Sequence, residues 1–507
     1  MIKKALLITL LALAMAPVIS ADNPKREFRG AWMHTIGQKQ YKEKSTAELQ
    51  DYLVDQLDKL KKAGVNAVLF QVRPSADAFY PSQLEPWSRF LTDGGNAPEP
   101  YWDPLQFMID ETHKRGMELH AWLNPYRVTT GKNQQLPKNH LFHKEPWRFV
   151  DYADGKKYFD PGLPQNREFI TEVVMDIVNR YNVDGIHFDD YFYPYPVEGE
   201  DFPDADSYAK YGNGMKKDDW RRQNVDFLIR DIHNAISTSE KPWVRFGVSP
   251  FGIWRNKASD PRGSETNGLQ NYDALYADVL LWDEEGWVDY TLPQLYWELE
   301  HPRASTLVLA EWWNNAGLKR HLYFGQDTHN IMKHADLAPS TNPTQLDHKI
   351  RISREAQNVQ GNCWWPGYAI TSNFEGIADS LADNRQNTIA LVPEYPWIPS
   401  DKPAPIRVAP VRPGTDKLQW AKPEQKGDVN DVVRFVVYRF DVDAANMNFD
   451  DPANIWMITE NNSIDLIIPG RYAVTGLNRV NRESRPGGVA IYDPEGFKKL
   501  LEEKENK

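Results

Sequence analysis

Short apolar runs alternate with amphipathic stretches along most of this chain. The apolar runs have the length of buried strands and lie at residues 28–33, 67–72, 118–123, 185–189, 245–249, 290–296, 321–324 and 361–365. Each is followed by a stretch with helical periodicity, at residues 46–63, 103–115, 166–181, 219–237, 273–283, 304–315, 344–357 and 377–384. Eight strand–helix repeats in one run predict an α/β fold, a (β/α)8 TIM barrel over residues 26–395.

The pattern changes after the barrel. Residues 396–413 are rich in proline, as a linker would be. Strands without helices follow at residues 417–421, 432–440, 464–468, 472–478 and 489–492. Leu418 with Trp420, and Tyr472 with Val474 and Gly476, resemble the core pattern of fibronectin type III domains. Residues 414–495 are therefore predicted to form a small all-β sandwich domain of that type.

The first twenty residues have the features of a secretory signal peptide. Lys3 and Lys4 precede an apolar run at residues 5–16, and small residues precede Ala21. No later stretch has the roughly 20 apolar residues that a transmembrane helix requires. Cys363 is the only cysteine and lies far from the signal, so the sequence offers no thiol for a lipid anchor. We expect a secreted protein, periplasmic or extracellular, that is not a lipoprotein.

Charge and aromatic content narrow the class of partner. The net charge is −12, from 71 acidic and 59 basic residues, which argues against a nucleic-acid partner because phosphate binding needs a basic face. Eighteen Trp and 23 Tyr are more than packing usually demands, and secreted proteins rich in them often stack sugar rings on these side chains. A glycan is the expected partner. Nothing in the sequence indicates a cofactor, a metal or a protein partner.

The most informative stretch is residues 185–196, which read GIHFDDYFYPYP. A short buried strand ends in Asp189 and Asp190 and is followed by an aromatic loop broken by prolines. The carboxyl ends of the strands are where TIM barrels build active sites. Adjacent carboxylates raise each other's pKa, which suits a site that needs one proton donor and one anion. The alternative is that both aspartates cap the loop through hydrogen bonds to its backbone.

Polar and aromatic residues recur at the carboxyl ends of most predicted strands, although barrel cores select for Val, Ile and Leu. We expect these residues to bind substrate: Trp32, His34, Arg73, Asn124, Tyr126, Arg127, Tyr191, Tyr296, Trp297 and Trp365.

Three residues near these strand ends have competing interpretations. Arg73 could instead pair with a buried acid. Glu298 is either a third catalytic carboxyl or a solvent-facing loop residue. His187 is better explained as a buried histidine satisfied by its neighbours than as a metal ligand.

At the level of motifs, the sequence resembles the glycosyl-hydrolase-like family 10. The resemblance covers residues 26–395 and rests on residues 28–32 (FRGAW), 64–68 (GVNAV), 71–74 (QVRP), 122–127 (WLNPYR) and 185–191 (GIHFDDY). That family includes a bacterial divisome-localised hydrolase that acts on peptidoglycan strands stripped of their peptides. The resemblance implies a glycosidase, with peptide-free peptidoglycan as the leading substrate.

The Phe-Asp-Asp ending of the fourth strand is also similar to β-N-acetylglucosaminidases of the O-GlcNAcase type. That similarity implies that Asp189 orients a 2-acetamido group of the substrate, which acts as the nucleophile. It also implies that Asp190 is the general acid and base, and that Tyr296 contacts the acetamide.

Two other functions remain open at this point. One is a retaining glycosidase on another polysaccharide, with Asp189 or Asp190 as covalent nucleophile and Glu298 as acid. The other is a carbohydrate-binding barrel without catalytic activity.

Overall fold

The structure is a computed structural model that describes residues 23–337, 343–412 and 414–505, without the side chains of residues 500–505. The predicted signal peptide at residues 1–20 lies outside the described residues. Within them, no helix is long and apolar enough to cross a membrane.

Eight parallel strands close into a barrel, which confirms the predicted fold class. These strands are β1 (Phe28–Met33), β2 (Ala67–Arg73), β3 (Glu118–Leu123), β6 (Gly185–Phe188), β7 (Arg245–Val248), β8 (Tyr290–Thr291), β9 (His321–Asp327) and β10 (Val359–Trp365). Around the barrel their order is β1-β10-β9-β8-β7-β6-β3-β2. A short antiparallel hairpin, β4 (Phe149–Asp151) and β5 (Lys157–Phe159), lies in the loop after β3 and was not predicted.

Helices cover the outside of the barrel and lie in its loops. They are α1 (Gln40–Glu43), α2 (Thr46–Lys62), α3 (Pro104–Lys114), α4 (Pro164–Arg180), α5 (Ala205–Tyr211), α6 (Lys217–Ser237), α7 (Asn271–Ala274), α8 (Val279–Glu284), α9 (Thr306–Asn314), α10 (Thr328–Lys333), α11 (Leu346–Glu355), α12 (Gly367–Thr371) and α13 (Ile377–Ser380). Helix α2 begins with a capping box in which the Ser45 side chain accepts from the Glu48 N–H and the Glu48 carboxylate accepts from the Ser45 N–H.

Two predicted elements differ from the observed ones for identifiable reasons. The strand expected at residues 290–296 ends at Thr291, because Pro293 has no N–H to donate to the ladder, and pairing resumes as single bridges at Gln294. The helix expected at residues 273–283 is divided into α7 and α8. Tyr276 lies between them with a left-handed φ of 54°, which ends a right-handed helix.

The C-terminal segment forms a small β domain. Its elements are β11 (Lys417–Gln419), β12 (Val432–Phe440), β13 (Ile455–Thr459), β14 (Ser463–Asp465), β15 (Gly470–Asn478), β16 (Val489–Tyr492) and the final helix α14 (Pro494–Glu505). A four-stranded antiparallel sheet has the order β13-β12-β15-β16, and β11 pairs with β14. An apolar cluster fills the space between the two sheets. Strand β13 and helix α14 were not predicted, and the likeness to fibronectin type III remains a prediction.

The β domain packs against the amino-terminal end of the barrel, opposite the carboxyl ends of the strands. Arg434 of β12 donates to Glu118 at the start of β3 (3.1 Å) and to Asp184 just before β6 (3.2 Å). Arg245 at the start of β7 also pairs with Glu118 (2.6 Å). In the predicted linker, the Trp397 indole N–H donates to Asp289 of the barrel at 2.7 Å. The loops at the other end of the barrel are left free to form a site.

Candidate active site

Both aspartates of the Asp-Asp pair lie at the carboxyl end of β6. The strand ends at Phe188, so the next residues leave the alternating geometry that would send neighbouring side chains to opposite faces. A tight turn follows, in which the Phe192 N–H donates to the Asp190 carbonyl (3.0 Å). Asp189 is 8% exposed and Asp190 is 1% exposed. Two adjacent carboxyls therefore line the same cavity.

Asp189 is surrounded by N–H donors. The Asn124 amide donates to Oδ2 (3.1 Å), and the Gln294 amide (3.2 Å) and the Asp190 backbone N–H (2.9 Å) donate to Oδ1. The orientation of Asn124 follows from its neighbours, because its Oδ1 accepts from Gln71 (3.0 Å) and Arg127 (2.7 Å). Three N–H donors therefore hold the Asp189 carboxyl in a fixed orientation at the cavity.

Asp190 is in the opposite situation. Burial and the neighbouring charge of Asp189 raise the pKa of Asp190 well above its ordinary value. The Tyr195 hydroxyl donates to Asp190 Oδ2 and partly opposes that rise in pKa. The raised pKa makes Asp190 the carboxyl of the pair that is suited to carry a proton.

An open cavity of about 290 Å³ lies above the barrel in front of this pair. Its walls are Trp32, His34, Ile36, Gln71, Trp122, Arg127, Asp189, Asp190, Tyr191, Gln294, Tyr296 and Trp365.

Tryptophans provide the apolar surface of the cavity. Trp365 meets Trp32 edge-to-face at 6.4 Å between ring centroids, and meets Trp122 in the same way at 5.9 Å. The Trp122 indole N–H has no protein acceptor among the described residues. The His34 ring lies 4.7 Å from Trp365, and burial lowers the pKa of His34 to about 4, so this side chain is neutral at pH 7. Flat apolar faces next to hydrogen-bonding groups are suited to a sugar ring.

Seven of the ten predicted substrate-binding residues line this cavity or contact a residue that does. Trp32, His34, Arg127, Tyr191, Tyr296 and Trp365 are in its walls. Asn124 lies behind Asp189 and is fully buried.

The other three, and the third candidate carboxyl, lie elsewhere. Arg73 is completely buried and pairs with Glu85 (2.5 Å), which is the structural alternative that the sequence left open. Tyr126 is buried in the core, and Trp297 packs against Phe251. Glu298 pairs with His334 at 3.0 Å and is not in the cavity wall.

Five residues of the site were not selected from the sequence. Ile36, Gln71, Trp122 and Gln294 line the cavity, and Tyr195 contacts Asp190. Gln294 could have been selected from the sequence, because it follows Pro293 at the carboxyl end of a predicted strand. Tyr195 lies in the aromatic loop after the Asp-Asp pair, where no periodicity indicates which ring turns back to the carboxyl.

No group of three or more residues that could hold a metal ion is found in the part of the chain that the structure describes. His187 contacts the Trp32 indole (3.2 Å), Ser249 (3.0 Å) and the Tyr290 hydroxyl (3.0 Å) inside the barrel. Burial holds its pKa well below the ordinary value, as for a satisfied neutral histidine.

A parallel barrel with paired carboxyls and aromatic walls at its carboxyl end is an arrangement on which glycoside hydrolases are built. The sequence model of the family described as glycosyl hydrolase-like 10 matches residues 27–340. Glycosyl hydrolase YngK of Bacillus subtilis (strain 168) is 40% identical over 397 residues, which is 76% of this chain and 77% of that protein. Glycosyl hydrolase DigH of Escherichia coli (strain K12) is 37% identical over 348 residues, 64% of this chain and 78% of that protein. The chain belongs to the glycosyl hydrolase-like 10 family, which confirms the predicted resemblance.

Two solved structures are also similar. The PgaB (BpsB) glycoside hydrolase domain from Bordetella bronchiseptica aligns with a TM-score of 0.45 and 12% identity, over 71% of this chain and 99% of that domain. The β-N-acetylhexosaminidase from Bacteroides fragilis NCTC 9343 aligns with a TM-score of 0.40 and 12% identity, over 74% of this chain and 68% of that protein.

Proposed function

We propose that this protein is a secreted glycoside hydrolase that acts on N-acetylated glycans, with peptide-free peptidoglycan strands as its leading substrate. The observation that carries the proposal is that two adjacent carboxyls have different surroundings. Asp189 has three N–H donors, whereas Asp190 is buried with a raised pKa. Glycoside hydrolases generally use one carboxylic acid and one carboxylate in the same site, and this pair supports that assignment.

In the proposed reaction the substrate supplies its own nucleophile. Asp189 accepts a hydrogen bond from the N–H of the 2-acetamido group and so increases the negative charge on the acetamide oxygen. That oxygen attacks the anomeric carbon while Asp190 gives its proton to the leaving glycosidic oxygen. The intermediate that forms is the oxazolinium ion, whose N–H proton stays hydrogen-bonded to Asp189. Water then attacks the anomeric carbon, the bond between that carbon and the acetamide oxygen breaks, and the ionised Asp190 takes a proton from the water. Tyr296, in the cavity wall, is proposed to contact the acetamide.

The first test uses Asp190→Asn. This variant keeps the volume of the side chain and removes its proton, so we expect turnover of peptide-free strands to fall roughly 10²–10⁴-fold. Thermal stability should be unchanged or slightly higher, because a carboxyl that resists ionisation is replaced by a neutral amide. Asp77→Asn is a matched control, because Asp77 is also buried, has a pKa raised to about 7, and lies outside the cavity wall.

New reducing ends identified by mass spectrometry measure the reaction. Failure of the wild-type protein to cut these strands, with hydrolysis of another polysaccharide, would reject the proposed substrate. Tight binding of several glycans without turnover would instead support a non-catalytic barrel.

The nucleophile is tested with two inhibitors. A thiazoline analogue of the oxazoline should inhibit, because it resembles the intermediate in shape and charge. A 2-fluoro sugar should not become covalently attached to Asp189 or Asp190. Its covalent capture on either residue would establish a protein nucleophile and would favour the alternative mechanism, in which Glu298 is the candidate acid.

A further inference from the structure

Arg127 places a positive charge in the cavity wall and makes no ion pair with a described residue, since Asn124 lies between it and Asp189. Its Nε donates to the Pro74 carbonyl (2.9 Å), one terminal nitrogen donates to Asn124 Oδ1 (2.7 Å), and the guanidinium carbon lies 4.9 Å from the centre of the Tyr191 ring. Among the described residues, no carboxylate oxygen lies within 4.0 Å of Arg127. The other terminal nitrogen makes no hydrogen bond within the described part of the chain.

Three buried arginines of this barrel are compensated by carboxylates, whereas Arg127 is only partly buried. Arg73 pairs with Glu85, Arg221 with Asp204 at 2.7 Å, and Arg245 with Glu118. Arg127 differs because its neutral partners fix the plane of the guanidinium but do not cancel its charge. A guanidinium is permanently charged, and an uncompensated one in a concave site favours an anionic group of the ligand.

We infer that Arg127 binds a carboxylate carried by the glycan, and that it thereby selects strands from which the peptides have been removed. The inference rests on the proposed function and identifies the chemical group of the glycan that Arg127 recognises. On peptidoglycan the carboxylate is that of the lactyl ether on the muramic sugar. Attachment of the peptide converts this carboxylate to a neutral amide, which cannot form the charge-assisted, two-pronged hydrogen bond that a guanidinium makes with a carboxylate.

Three related substrates allow the effect of the glycan carboxylate to be measured apart from the effect of the rest of the glycan. The first is peptide-free strands, and the second is the same strands with their carboxylates converted to methylamides, which imitate the peptide bond. The third is N-acetylated chitooligosaccharide, which has the same acetamides and no lactyl group. For the wild type we expect kcat/KM on free strands to exceed that on methylamidated strands by about tenfold or more. In Arg127→Met the ratio should approach one.

The ratio of kcat/KM on free strands to kcat/KM on methylamidated strands distinguishes recognition of the carboxylate by Arg127 from a purely structural role of Arg127. Because Arg127 also orients Asn124 behind Asp189, its loss could slow all three substrates equally, and that outcome, with the ratio unchanged, would overturn the inference. Arg89→Met is the matched control, because Arg89 stacks on Phe90 at 4.8 Å and is outside the cavity wall. It should keep the wild-type ratio.

Binding provides a readout that does not need turnover. Calorimetric titration of Asp190→Asn, with and without Arg127→Met, into free and methylamidated strands should show the same preference and its loss. If the wild type hydrolyses none of the substrates, the proposed function fails, while this titration still decides the carboxylate site. The carboxylate that Arg127 binds could belong to the lactyl group of a muramic sugar or to a uronic acid. Hyaluronan, which carries acetamides and uronic carboxylates, distinguishes these two sources. Arg127-dependent binding of hyaluronan above that of peptide-free strands would assign the site to a uronic acid.

Discussion

Removing the Tyr195 hydroxyl should shift the pH dependence of the reaction in a defined direction. Tyr195 donates a hydrogen bond to Asp190 Oδ2, and this bond stabilises the ionised form of Asp190. Tyr195→Phe removes the donor and keeps the ring, which lies 5.5 Å from the Tyr191 ring. The pKa of Asp190, already raised by burial and by Asp189, should therefore rise further.

The size of the shift follows from the strength of that hydrogen bond. A hydrogen bond to a charged group contributes roughly 1.5–3 kcal/mol, and each pKa unit corresponds to about 1.4 kcal/mol, so the pKa of Asp190 should rise by about 1–2 units. The general acid is active when protonated, and activity is lost as the pH rises through its pKa. The alkaline limb of the pH profile should accordingly move to higher pH by about 1–2 units. The plateau rate should fall several-fold, because a weaker acid transfers its proton less readily.

The measurement is kcat/KM on peptide-free strands from about pH 4 to about pH 10. Tyr181→Phe is the control, since the Tyr181 hydroxyl donates to a carboxylate of Asp103 at 2.7 Å, outside the cavity wall. Its profile should match the wild type. An alkaline limb that stays in place in Tyr195→Phe, or moves to lower pH, would show that Asp190 is not the acid that this limb reports.

Three further changes test neighbouring parts of the structure. Glu298→Gln should leave kcat/KM within about twofold, because Glu298 pairs with His334 outside the cavity wall; a large loss would revive it as the acid. Trp365→Ala should weaken glycan binding by roughly tenfold in a titration, whereas a large fall in melting temperature with unchanged affinity would assign the ring to the core. Arg434→Met should lower the free energy of unfolding in urea by about 3 kcal/mol, because it leaves carboxylates at the domain interface less compensated. Arg439→Met, at a half-buried arginine on the same strand that donates to a backbone carbonyl, should have little effect.

The barrel could be predicted because its signal is repeated and local. Strands β1 and β3 were predicted to the residue, and most helices to within two residues of each end. Each repeat needs only an apolar run followed by an amphipathic stretch, and eight of them reinforce one another. The exceptions, at Pro293 and Tyr276, depend on single residues that break a ladder or a helix while the hydrophobic pattern continues.

The candidate site could be predicted only as a region. Polar residues at strand ends predicted where the cavity would form, but not which of them would face it. Arg73 has the same sequence context as a substrate-binding arginine, and its carboxylate partner Glu85 comes from a loop whose path no periodicity encodes. Arg127, four residues beyond the end of β3, is held by neutral groups and keeps its charge available to the cavity. The difference between the two lies in tertiary partners, which a single sequence does not display.

The assignment of unlike roles to Asp189 and Asp190 depends on the same kind of information. Their positions in the sequence are equivalent, and the rise in pKa that two adjacent carboxyls impose on each other does not indicate which of them keeps the proton. In the folded chain Asn124 from the end of β3 and Gln294 from beyond β8 converge on Asp189, and neither donates to Asp190. Burial and the charge of Asp189 raise the pKa of Asp190. The proposal that Asp190 is the acid therefore depends on where strands distant in the sequence place their amide donors, which the sequence around the two aspartates does not show.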